Sequence, residues 1–364
     1  MIRRRAPGKL FIAGEYAVVE PGHHAVLVAV DRFITVEIRA AGGTGGTGHV
    51  ISDHYPGHCL TWRRGEDGTI LVGEQPEAEA DDYVVSAIRT VEQVACEAQR
   101  PLTTFDLEVS SELDDHSGRK LGLGSSAAVC VATVRAVAGW YDLLLDDVEV
   151  YKLALLASDA VQPIGSGGDI AASTLTGWVG YASPDRAWLR RSRQRMPASA
   201  LMRSPWPHLE LRRLPAPNLD LHVGWTGSPA STPHLVAGVS AHASSDDAWA
   251  GFLRESESCL TSLMQALQEH DPAMTLRQVA YNRTLLEDVH RRSGTRIETP
   301  ALRHLIEIAH DAGAVAKSSG AGGGDCGIAL CGPQTNAAAL RAAWRTAGIE
   351  PLDLSVYSSM EVTS

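Results

Sequence analysis

Apolar residues alternate with polar ones, or run together, in three stretches of the first third of the chain, and β-branched side chains are common in them. The stretches are KLFIAGEYAVV from residue 9, AVLVAVDRFITVEIRA from residue 25 and TTFDLEVSSEL from residue 103. This pattern predicts β-strands. Residues 81–99 instead have apolar positions at helical spacing, and two aspartates begin the segment, where they complement the helix dipole.

Helical spacing returns after the third strand. We predict helices at 125–141 and 146–161, and then a glycine turn, a short helix and a strand within 162–181. Residues 184–217 are rich in proline and carry a cluster of arginines, so we interpret them as an irregular connection between domains. The second half is predicted to contain strands at 219–226, 313–317, 327–331 and 352–357 and helices at 231–243, 246–270, 272–293, 299–312 and 335–347.

Strands and helices mix here without a regular βαβ repetition, which favours an α+β fold over a doubly wound sheet. The chain has 364 residues, enough for two domains of ordinary size. We predict an N-terminal domain at 1–190, a connection at 191–216 and a C-terminal domain at 217–364.

Composition and charge narrow the class of protein. The formal net charge of -11 argues against nucleic acid or an anionic membrane as a partner, since both attract a basic face. No apolar run is long enough to span a bilayer, and Pro7, Gly8 and Lys9 interrupt the N-terminal run too early for an export signal. Six scattered cysteines without a CxxC pair favour reduced thiols and a cytoplasmic enzyme.

The most suggestive motif is RKLGLGSSAAV at 119–129, between a predicted strand and a predicted helix. Glycines let backbone amides approach a ligand closely, and a helix N-terminus favours anions. A serine hydroxyl at this place is suited to ligate a magnesium ion that bridges phosphates. The Lys-Ser/Thr pair of a Walker P-loop is missing. A tight turn with a serine cap is the alternative.

Three other motifs have both a functional and a structural interpretation. Lys9 enters an apolar strand, where it serves a site or extends to water. Asp169, in GSGGDIAAS, is either an acid aimed into a cleft or a helix N-cap. The glycines of SSGAGGGDCG at 318–327 indicate close backbone approach to a ligand or a hairpin turn. By contrast, no helix is predicted after GTGGTG at 43–48, and a zinc site at His54, His58 and Cys59 is not favoured.

Taken together and in this order, the motifs resemble those of the GHMP kinases, named for galactokinase, homoserine kinase, mevalonate kinase and phosphomevalonate kinase. The resemblance covers nearly the whole chain. It rests on GKLFIAGEYAVVEPGHHAVL, GRKLGLGSSAAV, GSGGDIAAS, VGWTGSPAST and KSSGAGGGDCGIAL. It implies the α+β two-domain fold of that family, with an active-site cleft between the domains, and it implies ATP and Mg²⁺ as cofactors.

Within the family, the chain is most similar to the phosphomevalonate kinases of bacteria. Mevalonate kinases typically have proline and small residues before the glycine loop, where this chain has Arg119 and Lys120. The resemblance therefore implies transfer of phosphate from ATP to 5-phosphomevalonate, on the mevalonate route to isopentenyl diphosphate. The alternatives are a kinase for mevalonate or another small alcohol, and an inactive GHMP-fold ligand sensor.

The resemblance also implies roles for individual residues. Lys9 and Asp169 take the catalytic positions, where Asp169 either orients Lys9 or also accepts a proton, and Ser126 ligates Mg²⁺. The nucleotide phosphates are expected to contact Lys120, Gly122, Leu123, Gly124, Ser125 and Ser126. The acceptor is expected to contact Lys9, Glu15, Tyr16, His23, Asp169, Ser319, Gly320, Ala321 and Gly322. Because an acidic protein must supply local cations to two polyanions, we also predict phosphate neutralisation by at least two of Lys9, Arg119, Lys120 and Lys317.

Overall fold

Two β-sheets form the framework of the protein in the computed structural model, which describes residues 1–42, 46–52, 59–73, 82–115, 117–227, 235 and 247–359. The first sheet has eight strands in the order β5-β4-β3-β6-β2-β7-β8, with β1 paired to β2. Its strands are β1 (Ile2–Ala13), β2 (His24–Ala40), β3 (Thr47–Ile51), β4 (Cys59–Arg64), β5 (Ile70–Val72), β6 (Phe105–Ser111), β7 (Trp178–Ala182) and β8 (Glu210–Leu214).

The second sheet has four strands in the order β10-β11-β9-β12. They are β9 (Asp220–Trp225), β10 (Val315–Ser318), β11 (Cys326–Cys331) and β12 (Glu350–Leu352). The helices described around the two sheets are α1 (Tyr83–Glu97), α2 (Ser125–Trp140), α3 (Asp147–Val161), α4 (Gly168–Leu175), α5 (Arg186–Arg193), α6 (Ala198–Arg203), α7 (Asp247–Gln268), α8 (Pro272–Ser293), α9 (Pro300–Asp311) and α10 (Ala337–Thr346). None of the described helices is long and apolar enough to cross a bilayer.

We call the part of the protein built on the eight-stranded sheet the first body and the part built on the four-stranded sheet the second body. Helix α2 is the central helix of the first body. Its own side chains are small or β-branched on nearly every face. Ten of its positions are buried, among them Ala127, Val131 and Val134. A helix that is apolar all round belongs inside a protein, and α2 accordingly packs against β1, β2, α1 and α3. This packing fixes the N-terminus of α2, and therefore the preceding glycine loop, relative to β1.

Most predicted elements are confirmed, with boundaries that differ by a few residues. The strand predicted at 352–357 instead lies at Glu350–Leu352. The strands β3, β4 and β5 were not predicted. The helix predicted at 231–243 lies outside the described residues, apart from residue 235.

The interpretation of residues 184–217 as an irregular connection is wrong. This segment contains α5, α6 and β8, and β8 pairs antiparallel with β7, with Leu214 opposite Trp178. Helix α5 forms because the Asp185 carboxylate caps it, accepting the amide of Trp188 at 2.8 Å. The division of the chain into domains at 191–216 stays a prediction, but the chain as far as Leu214 contributes to the first sheet.

The two bodies are joined by hydrogen bonds that link distant parts of the chain. The Ser319 hydroxyl accepts the amide of Phe11 at 2.9 Å and donates to the Phe11 carbonyl at 3.0 Å. After β12 the chain returns to the first sheet, where the amide of Tyr357 donates to the Ala29 carbonyl at 2.9 Å. These links place the loop between β10 and β11 against the end of β1.

Candidate active site

A cleft of about 460 Å³ lies where the two bodies meet. Its walls come from β1 and the turn after it, the loop before α2, the segment from the end of α3 to the start of α4, and the loop between β10 and β11. Twelve predicted site residues line it together: Lys9, Glu15, Tyr16, Lys120, Gly122, Leu123, Gly124, Ser125, Ser126, Asp169, Gly320 and Ala321. Three others, His23, Ser319 and Gly322, are not in its lining.

The glycine loop before α2 packs directly on β1. The amide of Lys9 donates to the Leu123 carbonyl at 2.8 Å, and the Lys9 ammonium donates to the Gly122 carbonyl at 3.3 Å. Gly122 and Gly124 have φ of +77° and +81°, in the left-handed region that glycine adopts readily. A Cβ on Gly124 would lie 2.9 Å from Cε of Lys9. The loop therefore requires glycine both for its backbone and for the lysine packed against it.

The start of α2 has the properties of an anion site. Its N-cap is Gly124, and no side chain caps the first turn, so the serine-capped turn considered above does not describe this loop. The first amides of a helix lack intrahelical partners and lie at the positive end of its dipole. Ser125 and Ser126, in that first turn, line the cleft. Phosphate oxygens fit this end of the cleft well.

We expect Gly122→Ala to reduce turnover substantially. A Cβ at Gly122 would lie 2.5 Å from Cγ of Asp325, so either the glycine loop or the loop that carries Asp325 must move, and both line the cleft. Gly118→Ala is the matched control, because Gly118 has a similar φ of +79° but nothing within 4 Å of its added Cβ. Steady-state kinetics of both variants test this, and equal activities would contradict it.

Lys9 and Asp169 line the cleft from two different elements, β1 and α4. Asp169 lies in the first turn of α4, where its carboxylate accepts the amide of Ile170 at 3.0 Å. The N-cap of α4 is Gly167, so the alternative of Asp169 as an N-cap is not observed. Although both residues belong to the described part of the chain, the structure records no ion pair between them. The role of Asp169 in orienting Lys9 stays a prediction.

Glu15 and Lys317 form a buried ion pair inside the protein. Both side chains are at most 2% exposed, and Lys317 also donates to the Ser318 carbonyl at 2.7 Å. The same Glu15 carboxylate accepts the amide of Gly320 at 3.3 Å. It also accepts the side-chain NH2 group of Asn282 at 3.1 Å, in the amide orientation that satisfies the neighbours of Asn282. Lys317 does not itself line the cleft, and its buried ammonium is already paired with Glu15, so of the four predicted cations it is not placed to contact phosphates.

Tyr16 also contacts the glycine-rich loop between β10 and β11, which carries Gly320 and Ala321. Its hydroxyl donates to the Ala321 carbonyl at 2.5 Å, and its φ of +63° is unusual for a residue with a side chain. Burial, followed by the charge of Glu15, raises the pKa of the Tyr16 hydroxyl. The proton therefore stays on this oxygen at neutral pH, and the hydroxyl acts as a donor that positions Ala321 at the edge of the cleft.

Two predicted residues lie outside the cleft in other contacts. Nδ1 of His23 is 3.7 Å from a carboxylate oxygen of Glu257. Arg119 pairs with Asp115 at 2.7 Å, and its guanidinium stacks 4.7 Å from the ring centre of Trp225.

The structure also adds residues that the sequence analysis did not identify, among them Asp159, Arg186 and Asp325. Arg186 follows an N-capping aspartate, which is the local signal that we overlooked. Of the cations predicted to neutralise phosphates, Lys9 and Lys120 line the cleft. Of the zinc candidates, His54 and His58 lie outside the described residues, and no described group of His, Cys, Asp and Glu residues is arranged to hold a metal.

This fold and cleft define a kinase of the GHMP class, and comparison with known proteins agrees. The N-terminal domain model of the GHMP kinases matches residues 82–177, and the C-terminal model matches residues 263–350. A phosphomevalonate kinase of Streptomyces sp. (strain CL190) is 42% identical over 368 residues, which cover 97% of this chain and 96% of that protein. The chain therefore belongs to the GHMP kinase family.

Two further relatives distinguish branches of the family. The solved structure of Streptococcus pneumoniae phosphomevalonate kinase, in complex with phosphomevalonate and AMPPNP, matches with a TM-score of 0.84 and 28% identity. That match covers 98% of this chain and all of the other. A mevalonate kinase of Pyrococcus abyssi is 28% identical over 91% of this chain and 88% of its own length. The predicted GHMP fold is thus confirmed, and the higher sequence identity is to a phosphomevalonate kinase.

Proposed function

We propose that the chain transfers the γ-phosphoryl group of ATP to the phosphate of (R)-5-phosphomevalonate, giving 5-diphosphomevalonate and ADP. The observation that carries this proposal is the convergence of Lys9, Lys120, Asp169 and the uncapped start of α2 on one cleft. Its near full-length similarity to a phosphomevalonate kinase supports the same acceptor. A cytoplasmic location stays a prediction, consistent with six cysteines that are all free.

Transfer to a phosphate acceptor does not depend on a strong general base. The second pKa of a phosphomonoester is about 6, so the acceptor is mostly a dianion at neutral pH and its oxygen is already nucleophilic. The acceptor oxygen forms a bond to the γ-phosphorus of ATP. The bond from this phosphorus to the β,γ-bridging oxygen breaks, and ADP leaves with the bridging oxygen. The obstacle is the approach of two polyanions. The protein must therefore supply positioning and positive charge.

The lining residues divide this work between the walls of the cleft. The amides at the start of α2 and the side chain of Lys120 are placed to hold the nucleotide phosphates. Lys9 extends along the glycine loop, so its ammonium offsets charge between donor and acceptor. Gly320 and Ala321, held by Glu15 and Tyr16, complete the acceptor wall. Asp169 faces the same space from α4.

A magnesium ion fits the donor atoms of this cleft. Mg²⁺ prefers oxygen ligands and usually binds through one or two protein groups together with substrate phosphates. Ser126 lines the cleft at the helix N-terminus where those phosphates are expected, so we propose its hydroxyl as a ligand. When bound, the ion would neutralise part of the phosphate charge.

A coupled assay of ADP release tests the function. We expect a much higher kcat/KM with phosphomevalonate than with mevalonate, and no turnover once EDTA removes Mg²⁺. Phosphorus NMR of the product should show a diphosphate ester. A clear preference for mevalonate would instead indicate an alcohol kinase, and the absence of ATP turnover with either acceptor would indicate a binding protein.

A further inference from the structure

Arg186 reaches the cleft from a segment that contributes none of the residues placed in the reaction. It is the first residue of α5, and its side chain is 15% exposed. One terminal nitrogen pairs with the Asp159 carboxylate at 2.9 Å, and the other donates to the Gly165 carbonyl at 3.1 Å. The guanidinium therefore ties the end of α3 to the turn that follows it.

That turn leads directly into α4 and Asp169. Its next carbonyl, of Ser166, accepts the hydroxyl of Tyr181 at 2.5 Å, and Tyr181 is itself hydrogen-bonded to Tyr151 at 2.8 Å. Two consecutive carbonyls are thus held by side chains from two different elements, α5 and β7. Asp169 lies only three residues beyond Ser166, so its direction depends on this turn.

The turn is also closely packed. Gly167 has a φ of +81°, and a Cβ on it would lie 2.6 Å from Leu155 and 3.1 Å from a terminal nitrogen of Arg186. The turn therefore has no room for a side chain at Gly167, which brings its backbone close to Leu155 and to the Arg186 guanidinium.

A purely stabilising role explains the arginine poorly. Nε of Arg186 is buried and, within the described part of the chain, has no hydrogen-bond partner. An unpaired buried donor is destabilising, and replacing a buried ion pair by apolar residues is often neutral or stabilising. The placement of the Arg186 guanidinium is better explained if the neighbouring cleft needs the geometry that this side chain imposes.

We infer that Arg186 is a positioning residue for phosphoryl transfer. By holding the Gly165 carbonyl, it fixes the turn from which the Asp169 carboxylate enters the cleft, and Asp159 holds the guanidinium in place. This inference rests on the proposed function of the cleft. Arg186 acts through Asp169, so its contribution requires that carboxylate.

A double-mutant cycle tests this dependence. We expect Arg186→Gln to lower kcat by about 10–100-fold with little change in the KM for phosphomevalonate, since small misplacements of reacting groups have effects of this size. In an Asp169→Asn background, the same substitution should have little further effect on kcat. Arg186→Lys, which can still donate to the Gly165 carbonyl, should recover part of the loss.

Arg193→Gln is the matched control. Arg193 lies on the same helix and also donates to a carbonyl of α3, that of Leu156 at 3.2 Å, but it does not line the cleft. Its replacement should leave kcat unchanged. Additive effects in the cycle, an effect confined to KM, or an equal loss in Arg193→Gln would each overturn the inference.

Hydrogen exchange gives a readout that does not need activity. We expect faster exchange of amides at 162–170 in Arg186→Gln than in Arg193→Gln. Unchanged exchange in this segment would overturn the inference, whatever the kinetics show. Absence of phosphomevalonate turnover in the wild-type chain would instead reject the proposed function, and the exchange measurement would still decide whether Arg186 holds the turn.

Discussion

Lys9→Met should reduce kcat by about 10²–10³-fold, the usual loss when one charge-stabilising donor is removed from a reacting centre. Lys9 lies on β1, where its side chain is half-buried against the glycine loop. Its ammonium donates to the Gly122 carbonyl at 3.3 Å and is thereby directed along that loop. Methionine preserves most of the aliphatic packing against Gly124 but removes the charge. The loss should therefore appear in kcat with the fold intact, as measured by steady-state kinetics and circular dichroism.

A control on the same strand separates local from general charge effects. Arg5 lies on β1, is exposed and stacks 4.1 Å from the ring centre of Phe33, away from the cleft. Arg5→Met makes the same change of charge and should leave kcat unchanged. Near-normal turnover in a folded Lys9→Met variant would remove Lys9 from the catalytic role, and an equal loss in both variants would indicate that only net charge matters.

The parts of the site that could be predicted from sequence have local signals. The glycines at 122 and 124 sit between a strand pattern and a helix pattern, and Asp169 follows a glycine turn at a helix start. Each of these features is determined by a few neighbouring residues, because left-handed φ angles and helix starts are local properties. The cleft brings all of them together, as the order of motifs indicated.

Charged residues were harder to place, because the sequence does not show which partner each one contacts. Lys317 and Arg119 looked like phosphate-binding cations, but Lys317 pairs with Glu15, 302 residues away, and Arg119 pairs with Asp115. Nothing near Lys317 in the sequence distinguishes a lysine that faces a ligand from one that faces a buried carboxylate. Only the packing of the second body against β1 determines that Lys317 faces the Glu15 carboxylate.

The remaining errors concern weak patterns. Strand β5 has three residues and β3 has five, too few for a clear alternation. Helix α5 lies in a segment whose prolines and arginines suggested an irregular chain, and its few apolar positions gave no helical stripe. Arg186 was missed together with the helix that carries it. Short elements of this kind are stabilised by tertiary contacts, which a single sequence does not display.

Lys317→Met should destabilise the protein by about 3–5 kcal/mol, because it leaves the Glu15 carboxylate buried and without its cation. Lys317 also donates to the Ser318 carbonyl at 2.7 Å and holds the Glu15 carboxylate that accepts the Gly320 amide at 3.3 Å, so the loop between β10 and β11 should loosen as well. Arg3→Met is the control: it breaks the Arg3–Glu37 pair at 3.1 Å, whose side chains are 67% and 37% exposed. Exposed pairs contribute at most about 1 kcal/mol.

Urea unfolding of both variants, followed by fluorescence, measures the difference. The double variant Glu15→Leu/Lys317→Met should recover part of the stability lost in Lys317→Met, since no buried charge is then left unpaired. A Lys317→Met variant no less stable than Arg3→Met would contradict a large cost of leaving the Glu15 carboxylate without its cation. A double variant less stable than Lys317→Met alone would show that shape, rather than the unpaired charge, dominates.

Recovery of stability without recovery of turnover would show that the Glu15–Lys317 pair places Gly320 and Ala321, because the apolar replacement cannot hold the Gly320 amide.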